Sequence, residues 1–425
     1  MEILFSLTVS LIAGLLMSRV IKPTGLPAVT SYLIAGIIVG PFVLGQLGID
    51  GLGFTSIESV SKMDLVCDVA LGFIAFTIGN EFKLPQLRLY GKSTFVIGIL
   101  ESLMATVLVD IALITIHNMH PEILSFEAAI TLGAIAAATA PAATLMVIKQ
   151  YKAKGKMTSL LYTIVALDDA IGLIIFAVSF GIAKSMGSGE INTLNIIVEP
   201  IIEIIGSLLI GALMGLILSK TEKLFNSNSK RLAMTIAFVF LTVSIAKLQF
   251  SVGSIKISFS PLLVCMMLGA VFCNICKYSD ELMDKTNKWT TPLFILFFVF
   301  SGASLQLDVI MNIPVLIVGI VYIVVRVVGK YVGAYIGSTA THCDDKIRKN
   351  LGIALFPQAG VALGMSLMAY ELDGSGTIIR NIVLFAVLIY ELIGPVLTKT
   401  ALKRAGEISP VPEEVLNRRK TNQNA

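Results

Sequence analysis

Apolar runs of about 20 residues, the length an α-helix needs to cross the hydrocarbon core of a bilayer, recur from one end of this chain to the other. They lie near 3–21, 26–46, 64–82, 94–117, 126–148, 158–183, 194–219, 232–248, 259–276, 290–306, 308–337, 350–370 and 378–401. The spacing predicts an all-α integral membrane protein of about thirteen transmembrane helices. The eleventh run is long enough to hold a kink or a tilt. Composition excludes a soluble domain: charged residues are 14% of the 425, against roughly 25% in a globular protein. The first run begins at once, with no small-residue cleavage site after it, so it reads as a span and not as a cleaved signal.

Lysine and arginine set the orientation, because cytoplasmic loops are enriched in both. With the N-terminus outside, 25 of the 32 fall in the inner loops and the C-terminal tail. Five fall outside: Lys62, Lys184, Lys247, Lys256 and Arg380. The last two, Arg326 and Lys330, lie inside the eleventh run. A missed or extra span would scramble this alternation. It therefore supports thirteen spans in the plasma (inner) membrane, N-terminus outside and C-terminus cytoplasmic.

The two halves resemble each other. The third run ends Phe76-Thr77-Ile78-Gly79-Asn80-Glu81-Phe82-Lys83-Leu84 and the tenth ends Val299-Phe300-Ser301-Gly302-Ala303-Ser304-Leu305-Gln306-Leu307. Gly79 stands against Gly302 and Leu84 against Leu307. The second and ninth runs open on Pro27 and Pro261. The fifth and twelfth are interrupted, at Ala138-Thr139-Ala140-Pro141-Ala142 and Leu355-Phe356-Pro357-Gln358-Ala359-Gly360. Partners are seven runs apart, an odd number, so the second copy is upside down. Inverted repeats with broken helices at corresponding positions mark secondary transporters. Proline removes a backbone hydrogen bond, and freed backbone groups are tolerated at membrane depth only where protein buries them or a cavity needs them. One break reads as an ordinary proline kink. Two at symmetric positions, around Thr139, Pro141, Pro357 and Gln358, read as a site whose carbonyls and half-helix ends face a cation.

Charges at membrane depth are costly and functional by default. The sixth run reads Val165-Ala166-Leu167-Asp168-Asp169-Ala170-Ile171-Gly172. Adjacent helix positions point about 100° apart, so Asp168 and Asp169 can reach one cavity wall. Two close carboxylates resist double ionisation and titrate as a coupled group. Such a pair holds protons or a hard cation but not comfortably both, which is the competition that antiport needs. Arg326 and Lys330 share one helix face, and each needs a partner: Asp168 or Asp169 for one, Glu101 of the fourth run for the other. A purely structural ion pair is the competing reading. It weighs more for Arg326, which stays protonated, than for Lys330, since a desolvated lysine can carry a proton. Glu81, Asp110, Glu199, Glu203 and Glu391 fall in or near spans and rank below the aspartate pair. Cys273 and Cys276 form a C-x-x-C, but no second one follows, and His117, His120 and His342 fall in predicted loops. No cofactor is expected, and no metal beyond the transported ion.

Over about residues 1–400 the chain resembles the monovalent cation:proton antiporters of the sodium/proton exchanger family, with the NhaA/NapA-type fold. The resemblance rests on Asp168-Asp169 after Thr139-x-Pro141, the basic residue of the eleventh run, Leu26-Pro27…Gly36…Gly40-Pro41, and Gly79-Asn80-Glu81. It implies Asp169 as the main ion ligand and Asp168 as partner of the basic residue, either Lys330 or Arg326. It also implies electrogenic exchange, the mode to which paired aspartates are linked. A homodimer is implied, with a dimer or scaffold domain (1–90 and 226–307), a sliding core (91–190 and 308–402), a linker helix (191–225) and a cytosolic tail (403–425). The expected function is exchange of a monovalent cation, Na+ foremost, for H+ by alternating access. K+/H+ antiport or K+ efflux stays open, because selectivity rests on cavity size and ligand placement. Inverted repeats with buried carboxylates argue against a cation channel, and the lack of a Gly-x-Gly-Asp motif against an intramembrane aspartyl protease. No G-x-G-x-x-G with a βαβ pattern occurs, so no fused nucleotide-binding domain is expected. The expected partners are Na+, K+ or Li+, H+ and the lipid bilayer, with no nucleic acid.

Overall fold

The computed structural model describes residues 2–24, 26–48, 53–80, 82–85, 91–187, 193–248, 250–252, 255–257, 259–306, 308–309, 312–372 and 374–408. Glu81, Leu307 and the basic residues of 409–425 lie outside them, as does the side chain of Glu199. In chain order the helices are α1 (Glu2–Ile21), α2 (Ala28–Val39), α3 (Ile57–Ser61), α4 (Asp64–Asn80), α5 (Lys92–Met119), α6 (Phe126–Ile135), α7 (Pro141–Tyr151), α8 (Lys156–Gly187) and α9 (Thr193–Thr221). They continue as α10 (Asn228–Ala246), α11 (Pro261–Ile275), α12 (Ser279–Ala303), α13 (Ile313–Ala340), α14 (Asp345–Asn350), α15 (Gly360–Met368) and α16 (Gly376–Ala405). Between α10 and α11 lies a small antiparallel hairpin, β1 (Phe250–Val252) and β2 (Ile255–Ile257), a departure from the all-α expectation. Phe250, Val252, Ile255 and Ile257 alternate with Ser251 and Lys256, the period of a strand.

Among the described residues, eight helices are long and apolar enough to cross a membrane. There are nine if the bent pair Asp345–Leu355 and Gly360–Glu371, whose halves meet at 48°, counts as one span. Three of the remaining predicted spans hold helices that are short. α4 has 17 residues, α11 has 15 and α6 has 10, which at about 1.5 Å per residue fall short of a core of about 30 Å. α12 begins at Ser279, well before its predicted span, and its first turns carry Asp280, Glu281, Lys285 and Lys288. The eleventh run, α13, is one continuous helix. His117 belongs to the last turn of α5 and not to a loop.

Small residues organise the packing. Between apolar helices in lipid there is little hydrophobic drive, so close backbone approach holds them together. α2 packs on α12, and α4 on α11. A Cβ on Gly36 would stand 2.0 Å from the Val299 carbonyl oxygen, and one on Gly302 2.2 Å from that of Leu33. In the other contact, a Cβ on Gly269 would stand 2.1 Å from the Phe76 oxygen, and one on Gly79 1.9 Å from that of Met266. The step along the chain that carries Phe76 to Val299 also carries Gly79 to Gly302, and the step from Leu33 to Met266 also carries Gly36 to Gly269. The two contacts are thus copies of each other.

α5 and α13 cross in the same manner. Gly329, Gly333 and Gly337, one turn apart, face the backbone of Ala105, Glu101 and Ile97. A Cβ on Gly333 would lie 2.5 Å from the Glu101 Cα. Helices α1, α2, α4 and α10–α12 pack among themselves, as do α5–α8 with α13–α16. α9 runs along α8 of one group and α11 of the other.

Candidate functional site

The site begins where two helices stop. α6 ends at Ile135 and α7 starts at Pro141, while a 3-10 turn over Gly352–Leu355 ends opposite and α15 starts at Gly360. Proline cannot donate to the helical ladder, and the freed groups of each break pair with the other. The Ala140 N–H donates to the Pro357 carbonyl (2.8 Å), and Gln358 Nε2 to the Ile135 carbonyl (2.8 Å). Thr139 Oγ1 donates to Leu355 O (3.4 Å) and Thr144 Oγ1 to Ala354 O (3.0 Å). The Gln358 side chain is held in turn by the Tyr322 hydroxyl (3.3 Å). Thr139, Pro357 and Gln358 therefore meet at one crossing, with Pro141 opening α7 beside it.

Helix C-terminal ends expose unpaired carbonyls and partial negative charge. Two such ends converge here, and Arg326 fills the space between them. Its Nε donates to Ala136 O (3.0 Å), Nη1 to Phe356 O (2.7 Å) and Nη2 to Ala138 O (2.6 Å). The guanidinium lies over the Tyr390 ring, 4.6 Å from its centroid. A planar fork of donors suits several fixed carbonyls better than a point charge does. Among the described residues no carboxylate pairs with Arg326: the broken backbone takes the place of the expected partner.

Lys330, one turn on, takes both carboxylates instead. Its Nζ lies 3.0 Å from Asp168 Oδ2 and 2.7 Å from Glu101 Oε2, and it donates to the Ala137 carbonyl as well. All three side chains are fully buried. Asp168 also accepts from the Ser102 hydroxyl. Asp169 is 2% exposed, and its Oδ1 has no hydrogen-bond partner. Buried polar atoms are seldom left so. Three buried carboxylates and one ammonium are thus gathered here, an arrangement that can hold protons or a hard cation.

A family model described as "Sodium/hydrogen exchanger, transmembrane" matches residues 7–404. This chain belongs to the sodium/hydrogen exchanger family. Among solved structures it is similar to the sodium proton antiporter MjNhaP1 from Methanocaldococcus jannaschii at pH 8, with TM-score 0.72 and 17% identity over 95% of this chain and 100% of that one. An electron-microscopy map of the same antiporter gives TM-score 0.67 and 18% identity over 95% and 98%. These likenesses show the fold. A search of curated proteins finds no match. Family and fold make the chain an integral membrane ion transporter and support cation/proton antiport.

Other polar residues of the exchanger fall differently from expectation. Arg380, counted with the outer residues, is 1% exposed, because α16 begins early enough to take it inside. Its guanidinium faces the Tyr370 ring at 5.6 Å. Glu391 is buried and accepts from Thr30 Oγ1 (3.4 Å), which joins α16 to α2. Asp110 is half-buried against Gly133. Sequence reasoning passed over Ser102, although a hydroxyl beside Glu101 in an apolar run was a usable signal. It also passed over the Ala136, Ala137 and Ala138 carbonyls, for which no side chain could speak. A cavity of about 320 Å³ opens between the two helix groups, lined by Asp64, Asp68, Leu71 and Phe180. Lys184 pairs with Glu371 (2.7 Å) on one wall, and Lys247 with Asp68 on the other. Phe180 is eleven residues beyond Asp169 on α8, about 16 Å along the helix axis.

Proposed function

We propose that this exchanger moves a monovalent cation, Na+ foremost, against H+ by alternating access, with cation and protons competing at Asp168 and Asp169. The observation that carries the reading is the unpartnered Asp169 Oδ1, buried next to an aspartate that is already paired with Lys330. A hard cation seeks oxygen ligands. Asp169 offers a free carboxylate oxygen, and Asp168, its neighbour in the chain, would supply further oxygens to a shell. A proton on Asp169 blocks that shell, and a cation there displaces the proton. Electrogenic exchange, the mode implied by paired aspartates, adds one requirement. Lys330 must give up its proton when Asp168 turns to the cation, while Glu101 keeps the amine in place.

The packing supports two bodies. α5–α8 and α13–α16 form the mobile core. α1–α4 and α10–α12 form a scaffold that also makes the homodimer, with α9 as the link. The core slides on the scaffold and exposes the crossing to each side in turn. In this reading α6 with α7 is one broken span, and α4, α11 and α12 are spans as well. That restores thirteen crossings, N-terminus outside, in agreement with the alternation of lysine and arginine. K+ in place of Na+ is the alternative. The test is reconstitution into proteoliposomes with an imposed pH gradient, followed by addition of NaCl, KCl or LiCl and readout of a lumenal pH dye. Cation-dependent pH recovery, lost in Asp169→Asn, is expected, and the ranking of cations names the substrate. No recovery with any cation, in protein shown to be folded and inserted, overturns the proposal.

A further inference from the structure

We infer that Glu407, just past the end of the last helix, is a positioning residue for the exchange site: its carboxylate caps the N-terminus of α8 and fixes the depth of Asp168 and Asp169. The inference rests on the reading of that pair as the exchange site. The first N–H groups of any helix lack partners within it. A Ser, Thr, Asp or Asn just before the helix usually supplies one, but α8 is preceded by Lys154 and Gly155. The cap comes instead from the far end of the chain. Glu407 Oε1 accepts from the Met157 N–H (2.7 Å), and Oε2 from the Thr158 N–H (2.7 Å) and the Thr158 hydroxyl (2.7 Å). The Glu407 backbone carbonyl accepts from the Lys154 N–H (3.0 Å).

Both sides of this contact are shaped for it. A Cβ on Gly155 would fall 2.2 Å from the Glu407 carboxyl carbon, so any larger residue there would push the carboxylate off the helix end. Gly406 has φ 81°, the left-handed conformation that ends a helix, and the Glu407 N–H returns to the Leu402 carbonyl (3.0 Å). That turn aims the carboxylate at α8. A negative charge on helix N-terminal N–H groups makes strong, charge-assisted bonds along the helix dipole.

The consequence reaches the site through a single rigid element. Asp168 lies twelve residues from the start of α8, about 18 Å along its axis. Ser102 and Lys330 fix Asp168 from the side. They do not stop α8 from shifting along its axis or fraying from its free end. Met157 and Leu161 of α8 share a buried apolar cluster with Ala401 and Leu402 of α16, and the cap adds a directional polar tie at the same end.

The test compares Glu407→Ala, Glu407→Gln and two truncations, one ending at Ile408 and one at Gly406. Two readouts apply to each: the apparent KM and maximal rate for Na+ in proteoliposomes, and hydrogen exchange of residues 153–160. Glu407→Ala and the chain ending at Gly406 are expected to raise KM by about three- to tenfold, with the maximal rate within about twofold of wild type, and to speed exchange at 157–158. Glu407→Gln, which keeps one acceptor oxygen but loses the second and the charge, is expected to fall between the alanine variant and wild type. The chain ending at Ile408 is expected to match wild type. Should the alanine variant fail to fold, Glu407→Asp, one methylene shorter and still charged, carries the same expectation. Unchanged KM in the alanine variant, or unchanged exchange at 157–158, overturns the inference. Loss of transport in the wild type itself would count against the exchange site, while the hydrogen-exchange comparison would still decide the cap.

Discussion

Lys330 and Arg326 stand one turn apart on the same face of α13, yet Lys330 holds two carboxylates and Arg326 only backbone carbonyls. The difference separates what each residue does. Removing a buried partner leaves an uncompensated charge, so Lys330→Gln is expected to abolish exchange and to lower stability by about 3–5 kcal/mol, read as thermal unfolding in detergent. Arg326→Lys keeps the charge but cannot span three carbonyls. It is expected to cost about 1–3 kcal/mol of stability through a carbonyl left bare, with cation affinity changed little. Sequence reasoning picked out the ionisable side chains here, because an ionisable group in an apolar run stands out, and passed over Ser102, Thr144, Tyr322 and Tyr390. It could not assign the bases to their partners. The carbonyls that claim Arg326 come from Ala136, Ala138 and Phe356, residues whose side chains give no hint of a site.

At the scale of elements, the glycine contacts explain why the two halves assemble as copies. Gly36 on Val299 and Gly269 on Phe76 are equivalent places in the repeat. An added methyl at either must force two backbones apart. Gly36→Ala and Gly269→Ala are therefore each expected to lose about 1–3 kcal/mol, with midpoints of thermal unfolding that fall by similar amounts; one large and one negligible effect would contradict the equivalence. Gly333→Val acts differently. It wedges α5 from α13 beside Glu101, and is expected to raise the KM for cation by drawing Glu101 off Lys330. The repeat was legible because glycine and proline recur at matched places. The short hairpin was not, since its strands are only three residues each. Nor was the early start of α12, where charged turns continue a helix outside its apolar stretch. α11 nearly fills its predicted run, and α6 falls short of its own because the predicted break ends it and α7 takes up the rest.

At the scale of the molecule, the exchanger is two helix groups with a cavity between them and a closed crossing inside one. The proposed topology rests on the alternation of lysine and arginine, which the sequence alone displays, while the cavity walls, drawn from both groups, became visible only in three dimensions. The proposed competition between cation and proton at Asp169 joins these levels, since a shared site would convert movement of one body against another into exchange. The most direct test is calorimetric titration of the purified protein with NaCl across a series of pH values. Ligand carboxylates must lose their protons to bind a cation. The apparent Kd is therefore expected to rise on the acid side by about tenfold per pH unit for each proton displaced, with heats that vary with the buffer's ionisation enthalpy. Asp169→Asn is expected to show no binding. A Kd that stays constant from acid to alkaline pH, or undiminished binding in Asp169→Asn, would contradict competition at this site.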